Sequence, residues 1–179
     1  KLLLNLAVAL VLGLFGGVGL ALLFEMLDDT VKGNEALEKL MDKPVLGVIP
    51  KVGAKGGERE VGLMAYHEPT SAFAEAYRSM RTALMFSTAE GAPRVLHFTS
   101  ASPGEGKSTT AVSTAINFAQ TGAKVLLIDA DLRNPSLHKV FGLPNHQGLT
   151  NYLTGRAEPA DVTQSTGVKG LFLMSSGPL

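Results

Sequence analysis

The chain has 179 residues, 45% of them hydrophobic, and its 16 Lys plus Arg balance 16 Asp plus Glu for a formal charge of zero. That neutrality removes the electrostatic footprint of a nucleic-acid-binding domain, so no nucleic-acid partner is expected. With no cysteine, disulfides, cysteine-based zinc sites and thiol nucleophiles are excluded within these residues.

From Leu2 to Phe24 no charged residue occurs. A helix of that length reaches about 34 Å, enough for a hydrocarbon core of about 30 Å, so the spacing predicts one transmembrane helix. The run leads directly into acidic, helix-forming sequence at Glu25, Asp28 and Asp29, which separates it from a cleaved signal peptide. Gly13 and Gly17 form a G-x-x-x-G, with Gly16 beside them. It reads either as a face for close helix approach or as the ordinary glycine content of membrane helices. Lys1 on one side and Lys32, Lys39 and Lys43, mixed with carboxylates, on the other do not set an orientation by charge.

Asn34 is placed to cap a short helix through Met41, with Glu35 and Lys39 at i,i+4 and Lys43-Pro44 as its stop. VLGVIP then reads as a short strand. Lys51 to Gly62 has four glycines, five charges and no apolar period, the composition of a flexible linker. The expected division is a membrane helix over 1–27, a juxtamembrane segment and linker over 28–62, and a soluble domain over 63–179. Because the chain begins with Lys1 and stops just after a predicted strand, it reads as a piece of a longer protein.

Beyond Pro69, Phe73, Tyr77, Met80 and Leu84 follow a helical period and predict a helix that buries one face. RVLHFTS predicts a strand from Arg94 to Thr99, and the helix from Lys107 to about Gln120 stops at Gly122. KVLLID, Lys124 to Asp129, is the next strand, and LFLMSS, Leu171 to Ser176, adds another. Strand, helix and strand in this order make a βαβ unit, so the fold class is α/β, a parallel sheet flanked by helices.

Between that first strand and its helix lies SASPGEGKSTT, Ser100 to Thr110. This is the position in which the pattern G-x-x-x-x-G-K-S/T forms a phosphate-binding loop. Gly104 and Gly106 let backbone N–H groups close around phosphate oxygens, Lys107 reaches the β/γ-phosphates, and Ser108 offers a hydroxyl to Mg²⁺. Ala101 replaces the first glycine and is tolerated if its φ stays negative. Asp129 and Asp131 follow an apolar strand and lie at its carboxyl end, where ligands bind in open α/β sheets. The competing structural reading is an aspartate that caps the turn after a strand.

ASPGEGKST, LLIDADLRNP and the helix between them resemble the bacterial tyrosine kinases of capsular and exopolysaccharide systems, P-loop proteins unrelated to eukaryotic-type kinases. The resemblance implies a P-loop NTPase fold that uses ATP and Mg²⁺. Its Walker A variant falls on Pro103 through Ser108, its Walker A′ motif on Asp129, Asp131 and Arg133, and its Walker B beyond Leu179. It also implies nucleotide contacts from Pro103, Gly104, Glu105, Gly106, Lys107, Ser108, Thr109 and Arg133, and a metal held by Ser108, Asp129 and Asp131. Lys107, Asp129 and Asp131 are the expected catalytic set, with Asp129 first candidate to take the tyrosine proton and Asp131 to orient Mg²⁺ or its waters.

LFEMLDDTV and KPVLGVIP resemble the segment that joins such a kinase to the last membrane helix of a polysaccharide co-polymerase module. Glu75, Arg78 and Arg81 reproduce the family's E-x-x-R-x-x-R motif, which implies a ring-like homo-oligomer. The implied partners are protein tyrosines, including the chain's own tail beyond Leu179, the polysaccharide machinery and membrane lipid. ATP use then places the P-loop domain on the cytoplasmic side of the inner membrane. Tyr66, Tyr77 and Tyr152 are scattered and unlike that tail, and His67, His97, His138 and His146 show no ligand spacing.

Two other functions fit much of the same pattern. A MinD- or ParA-like ATPase switch shares the sheet and the aspartates, but carries an early loop lysine where this chain has Ser102. A chain-length regulator with a non-catalytic, ATP-responsive P-loop domain is the other.

Overall fold

The computed structural model describes residues 1–27, 33–53 and 57–178. Asp28, Asp29 and Lys32, and part of the glycine- and charge-rich stretch after Lys51, lie outside the described residues. The chain divides into two compact units, Lys1–Val45 and Leu46–Leu179.

In the first unit α1 runs over Leu2–Leu27. Leu2–Met26 has a mean hydropathy of 2.5, and by length and composition this helix can cross a membrane. A Cβ added at Gly13, Gly16 or Gly17 would meet nothing within 4 Å. α2 (Asn34–Met41) forms as expected, but Gly33 occupies the cap position and Asn34 is the first helical residue. The helix ends with Asp42 in the left-handed region at φ 50, and Glu38 Oε1 accepts the Val45 N–H at 2.9 Å.

The second unit contains α3 (Gly57–His67), α4 (Ala72–Met85), α5 (Lys107–Ala119), β1 (Val125–Ile128), α6 (Leu137–Phe141), α7 (Leu149–Leu153), β2 (Thr163–Ser165) and β3 (Leu171–Met174). α4 and α5 lie where the apolar period and the loop-to-helix transition place them. Ser71 caps α4 by accepting the Ala74 N–H at 3.1 Å. Phe73, Tyr77, Met80 and Leu84 are all buried.

α3 departs from the expected linker over Lys51 to Gly62. Val61 and Met64 pack with Ala65 against the α4 cluster, joined there by Ile49 and Val52, while Leu63 joins the cluster around α5. Residues 46–62 therefore belong to the folded unit and not to a spacer, as far as they are described. Gly62 is in the helix for close approach: a Cβ there would stand 2.8 Å from Val140 Cγ1 of α6. Helix packing and a flexible turn leave the same letter in the sequence.

α5 is the centre of the unit, with Val112 and Ile116 fully buried. One side packs on Leu127 of β1 and on Leu171 and Leu173 of β3, and its neighbours on another side are α3 and α4. Burying each such aliphatic side chain contributes about 1.5–3 kcal/mol.

The sheet order is β1-β3-β2. β1 and β3 pair in parallel, Val125 with Leu171 through Ile128 with Met174, in keeping with the expected parallel sheet, although the expected βαβ unit of 94–99, α5 and β1 lacks the ladder of its first strand among the described residues. β2 pairs antiparallel to β3, Thr163 with Met174. Its polar sequence, Thr-Gln-Ser, offers no alternation from which to predict it.

Two expected strands, 45–50 and 94–99, carry no ladder among the described residues. Leu96 and Phe98 still pack inward, while Val95 between them is 86% exposed. The period of two is realised, but a strand also needs a paired neighbour. The face of β1 away from α5 is likewise bare, with Leu126 46% and Ile128 44% exposed.

Candidate phosphate-binding site

The loop between residue 99 and α5 turns on two glycines. Gly104 has φ 82, and Gly106, the cap residue of α5, has φ 90. A Cβ at either would meet nothing, so backbone conformation rather than space calls for glycine. The chain thereby enters α5 with the N–H groups of its first turn facing the loop, where an anion is stabilised by them and by the helix dipole.

Ala101 is not among the residues with positive φ, which meets the condition for alanine at this position. The loop entry is held instead by Glu105, whose Oε2 accepts the N–H of Ala101 at 3.0 Å and of Ser102 at 3.1 Å. Ser100 Oγ donates to Ser102 O at 3.1 Å across the same turn. Glu105, expected to contact nucleotide, thus acts on the loop itself. Glu105→Gln, which keeps an acceptor, should bind ADP within about twofold of the unmodified protein by calorimetric titration. Glu105→Ala should bind about threefold or more weakly, because two N–H groups lose their partner.

Lys107 Nζ lies 2.7 Å from Asp131 Oδ2. The loop and the end of β1, remote in sequence, are thereby brought together as the motif reading required. The Lys107 ammonium, with the backbone N–H of Asn134 next, holds the Asp131 carboxyl below the usual carboxylate range. A carboxylate held low contributes stability above its ordinary range, and that contribution is lost as pH falls through the lowered value. Asp131 therefore stays ionised around neutrality. Asp131 Oδ1 also accepts the N–H of Arg133 at 3.2 Å and of Asn134 at 3.0 Å, shaping the turn. The Arg133 side chain is exposed, as is Pro103, and Thr109 lies half-buried in the first turn of α5.

Asp129 is placed differently. It is only 4% exposed. Its Oδ2 accepts the N–H of Ser136 at 3.1 Å and of Leu137 at 3.0 Å, and its Oδ1 that of Asp131 at 3.3 Å. Three of about four lone-pair positions are taken by backbone donors that start α6 and form the turn. The structural alternative weighed for an aspartate after a strand describes this geometry. Asp129→Asn would turn an amide N–H toward these donors and should destabilise the folded unit by about 1–3 kcal/mol, measured by urea unfolding.

Ser136 was missed by sequence reasoning, because no motif or spacing marks it. Its Oγ stands 3.2 Å from Ser108 Oγ, the hydroxyl expected from the sequence to reach a metal. Magnesium takes oxygen ligands and usually one or two carboxylates beside substrate phosphates. Ser108 and Asp131 fit that donor chemistry, whereas the Asp129 oxygens are engaged. Among the described residues no group of three His, Cys, Asp or Glu forms a self-sufficient metal site.

Lys107, Ser108, Asp129, Asp131 and Arg133 line the polar end of a cavity of about 1310 Å³. Its apolar remainder runs between segment 92–99, α5 and β1.

Of the three residues expected to direct assembly, Glu75 and Arg78 pair with each other at 3.1 Å, and Arg78 also donates to Pro69 O. Arg81 turns inward and donates from Nη1 to Asn117 O of α5 at 3.1 Å. The motif therefore does not present its three side chains on one outer face.

Comparison with known proteins places this site in context. The ParA family, described as NUBPL iron-transfer P-loop NTPase, matches residues 92–178. The tyrosine-protein kinase YwqD of Bacillus subtilis is 42% identical over 125 residues, covering 70% of this chain and 53% of that protein. The tyrosine-protein kinase etk of Escherichia coli K12 is 32% identical over 191 residues, covering 97% of this chain and 26% of that protein. Among solved structures, the kinase domain of Escherichia coli tyrosine kinase ETK superposes with a TM-score of 0.70 at 32% identity. That match covers 83% of this chain and 60% of the kinase domain. The chain thus spans about half of the one relative and a quarter of the other.

Proposed function

Because the chain belongs to the bacterial tyrosine kinases built on a P-loop domain, we propose that it transfers the γ-phosphoryl group of ATP to protein tyrosines, its own tail among them, to regulate capsular or exopolysaccharide polymerisation and export. The observation that carries this reading is the Lys107–Asp131 contact, which joins a glycine-shaped phosphate loop to the second aspartate motif.

In the transfer, a tyrosine oxygen forms a bond to Pγ as the bond from Pγ to the ADP oxygen breaks. Catalysis rests on positioning and charge neutralisation. Loop N–H groups and the Lys107 ammonium bind and orient the phosphates. Ser108 and Asp131 would hold Mg²⁺, which would supply further neutralisation of phosphate charge. Asp131 is partly exposed beside Lys107 and is better placed than Asp129 to guide the tyrosine proton. Asp129, by its three backbone bonds, holds the turn on which Asp131 sits. This moves the proton-guiding role anticipated for Asp129 to Asp131, which keeps its metal role, and phosphotransfer by Asp129→Asn and Asp131→Asn measured at equal folded fraction distinguishes the two assignments.

β1 is an edge strand of the described sheet, and its free edge can pair with a further parallel strand, such as one carrying a Walker B carboxylate. α1 anchors the chain in the inner membrane, with the P-loop unit on the cytoplasmic side where ATP is available. Glu75 and Arg78 face outward on α4 and are the motif members available for ring assembly, by exchange of their mutual pair for a neighbour's charges. A co-polymerase module preceding α1 would couple that ring to the polysaccharide machinery.

The test is full-length protein supplied with ATP and Mg²⁺ and probed for phosphotyrosine beside Lys107→Ala. Signal in the first and none in the second is expected. The family match to ParA-type proteins supports a second reading, an ATPase switch. ADP and phosphate release without phosphotyrosine would establish it. Iron transfer through cysteine thiolates finds no ligand among these 179 residues.

A further inference from the structure

α4 and α5 meet along a seam that is polar where packed helices are ordinarily apolar. Thr110, Ser113 and Asn117 recur at i, i+3 and i+7 on α5, and the last two are buried. From α4, Tyr77 Oη hydrogen-bonds Thr110 Oγ1 at 3.1 Å, and one turn later Arg81 Nη1 reaches Asn117 O at 3.1 Å. Tyr77 is buried, with its ring edge-on to Phe73 at a centroid distance of 5.0 Å. Burial pushes its phenol above the ordinary range, so it keeps its proton at any physiological pH.

Phenylalanine and valine would fill the Tyr77 and Thr110 positions with no polar group to satisfy, so the hydroxyl pair adds little adhesion. What it adds is registration. Thr110 lies in the same helical turn as Lys107 and Ser108, closed by Thr110 N–H donating to Gly106 O at 2.8 Å. A side chain that fixes Thr110 fixes that turn, and with it the Lys107 ammonium and the Ser108 hydroxyl.

We propose that Tyr77 is a positioning residue for the nucleotide site, its hydroxyl setting the first turn of the phosphate-loop helix through Thr110. The inference rests on reading residues 100–110 as a nucleotide-binding loop.

The experiment titrates ADP with Mg²⁺ into full-length, detergent-solubilised Tyr77→Phe, Thr110→Val, Thr110→Ser and Tyr77→Phe/Thr110→Val. The nucleotide-free thermal midpoint of each is recorded alongside. Tyr77→Phe and Thr110→Val should each weaken ADP binding about three- to tenfold. Thr110→Ser should restore it, and the double variant should be no weaker than either single one. A merely structural role would lower the thermal midpoint and leave ADP affinity of the folded protein unchanged. Native ADP affinity in Tyr77→Phe, or losses that multiply in the double variant, would overturn the inference while the nucleotide site stands if Lys107→Ala abolishes binding. Undiminished binding in Lys107→Ala would remove both.

Discussion

Lys107→Ala is expected to lower phosphotyrosine formation by about 10²–10³-fold or more, since it removes the loop's side-chain cation, proposed here to bind the transferring phosphates. The same contact makes a sharper prediction for its partner. Lys107 Nζ is 2.7 Å from Asp131 Oδ2, so a phosphate that binds the ammonium competes with a carboxylate for it. Both side chains are about one-third exposed, and a pair of that kind is worth up to about 1 kcal/mol. Asp131→Asn should therefore tighten ADP binding up to about fivefold when Mg²⁺ is chelated. With Mg²⁺ present the same variant should bind more weakly, because the metal ligand proposed at Asp131 is lost. Titrations with EDTA and with Mg²⁺ test the opposed signs, and a loss of equal size in both would show that Asp131 does not compete for Lys107.

Gly148→Ala should be the most damaging single substitution for stability, by about 4 kcal/mol or more. An added Cβ would stand 2.1 Å from Ser175 O and 2.3 Å from Gly177 N, both backbone atoms that cannot swing away. The close approach lets Leu149 N–H donate to Ser175 O at 2.8 Å and Thr150 N–H to Ser176 O at 2.9 Å. These bonds tie α7 to the end of β3, where Ser175 and Ser176 are fully buried. Gly167→Ala is the control: φ is 82 with open space around it, so only backbone strain of about 1–2 kcal/mol is added. Urea unfolding of both variants should rank them widely apart. Equal midpoints would mean that the α7 junction yields.

Local features were legible without the fold. The apolar run of α1, the buried stripe of α4, the glycine turn that enters α5 and the parallel character of the sheet follow from periodicity and backbone sterics. These act over a few residues and leave their mark in neighbouring letters. The phosphate loop and its aspartate motif were visible for that reason, and so was the kinase family. What the letters could not carry was the partner of each group across the chain. Gly62 reads as flexibility and is a contact with Val140. Asp129 reads as a proton acceptor and holds three backbone N–H groups. Arg81 reads as part of an assembly motif and is bonded to α5, and Ser136 reads as nothing yet stands beside Ser108. Each of these assignments depends on a close approach between segments separated along the chain, and distance in space is settled only when helices and sheet pack.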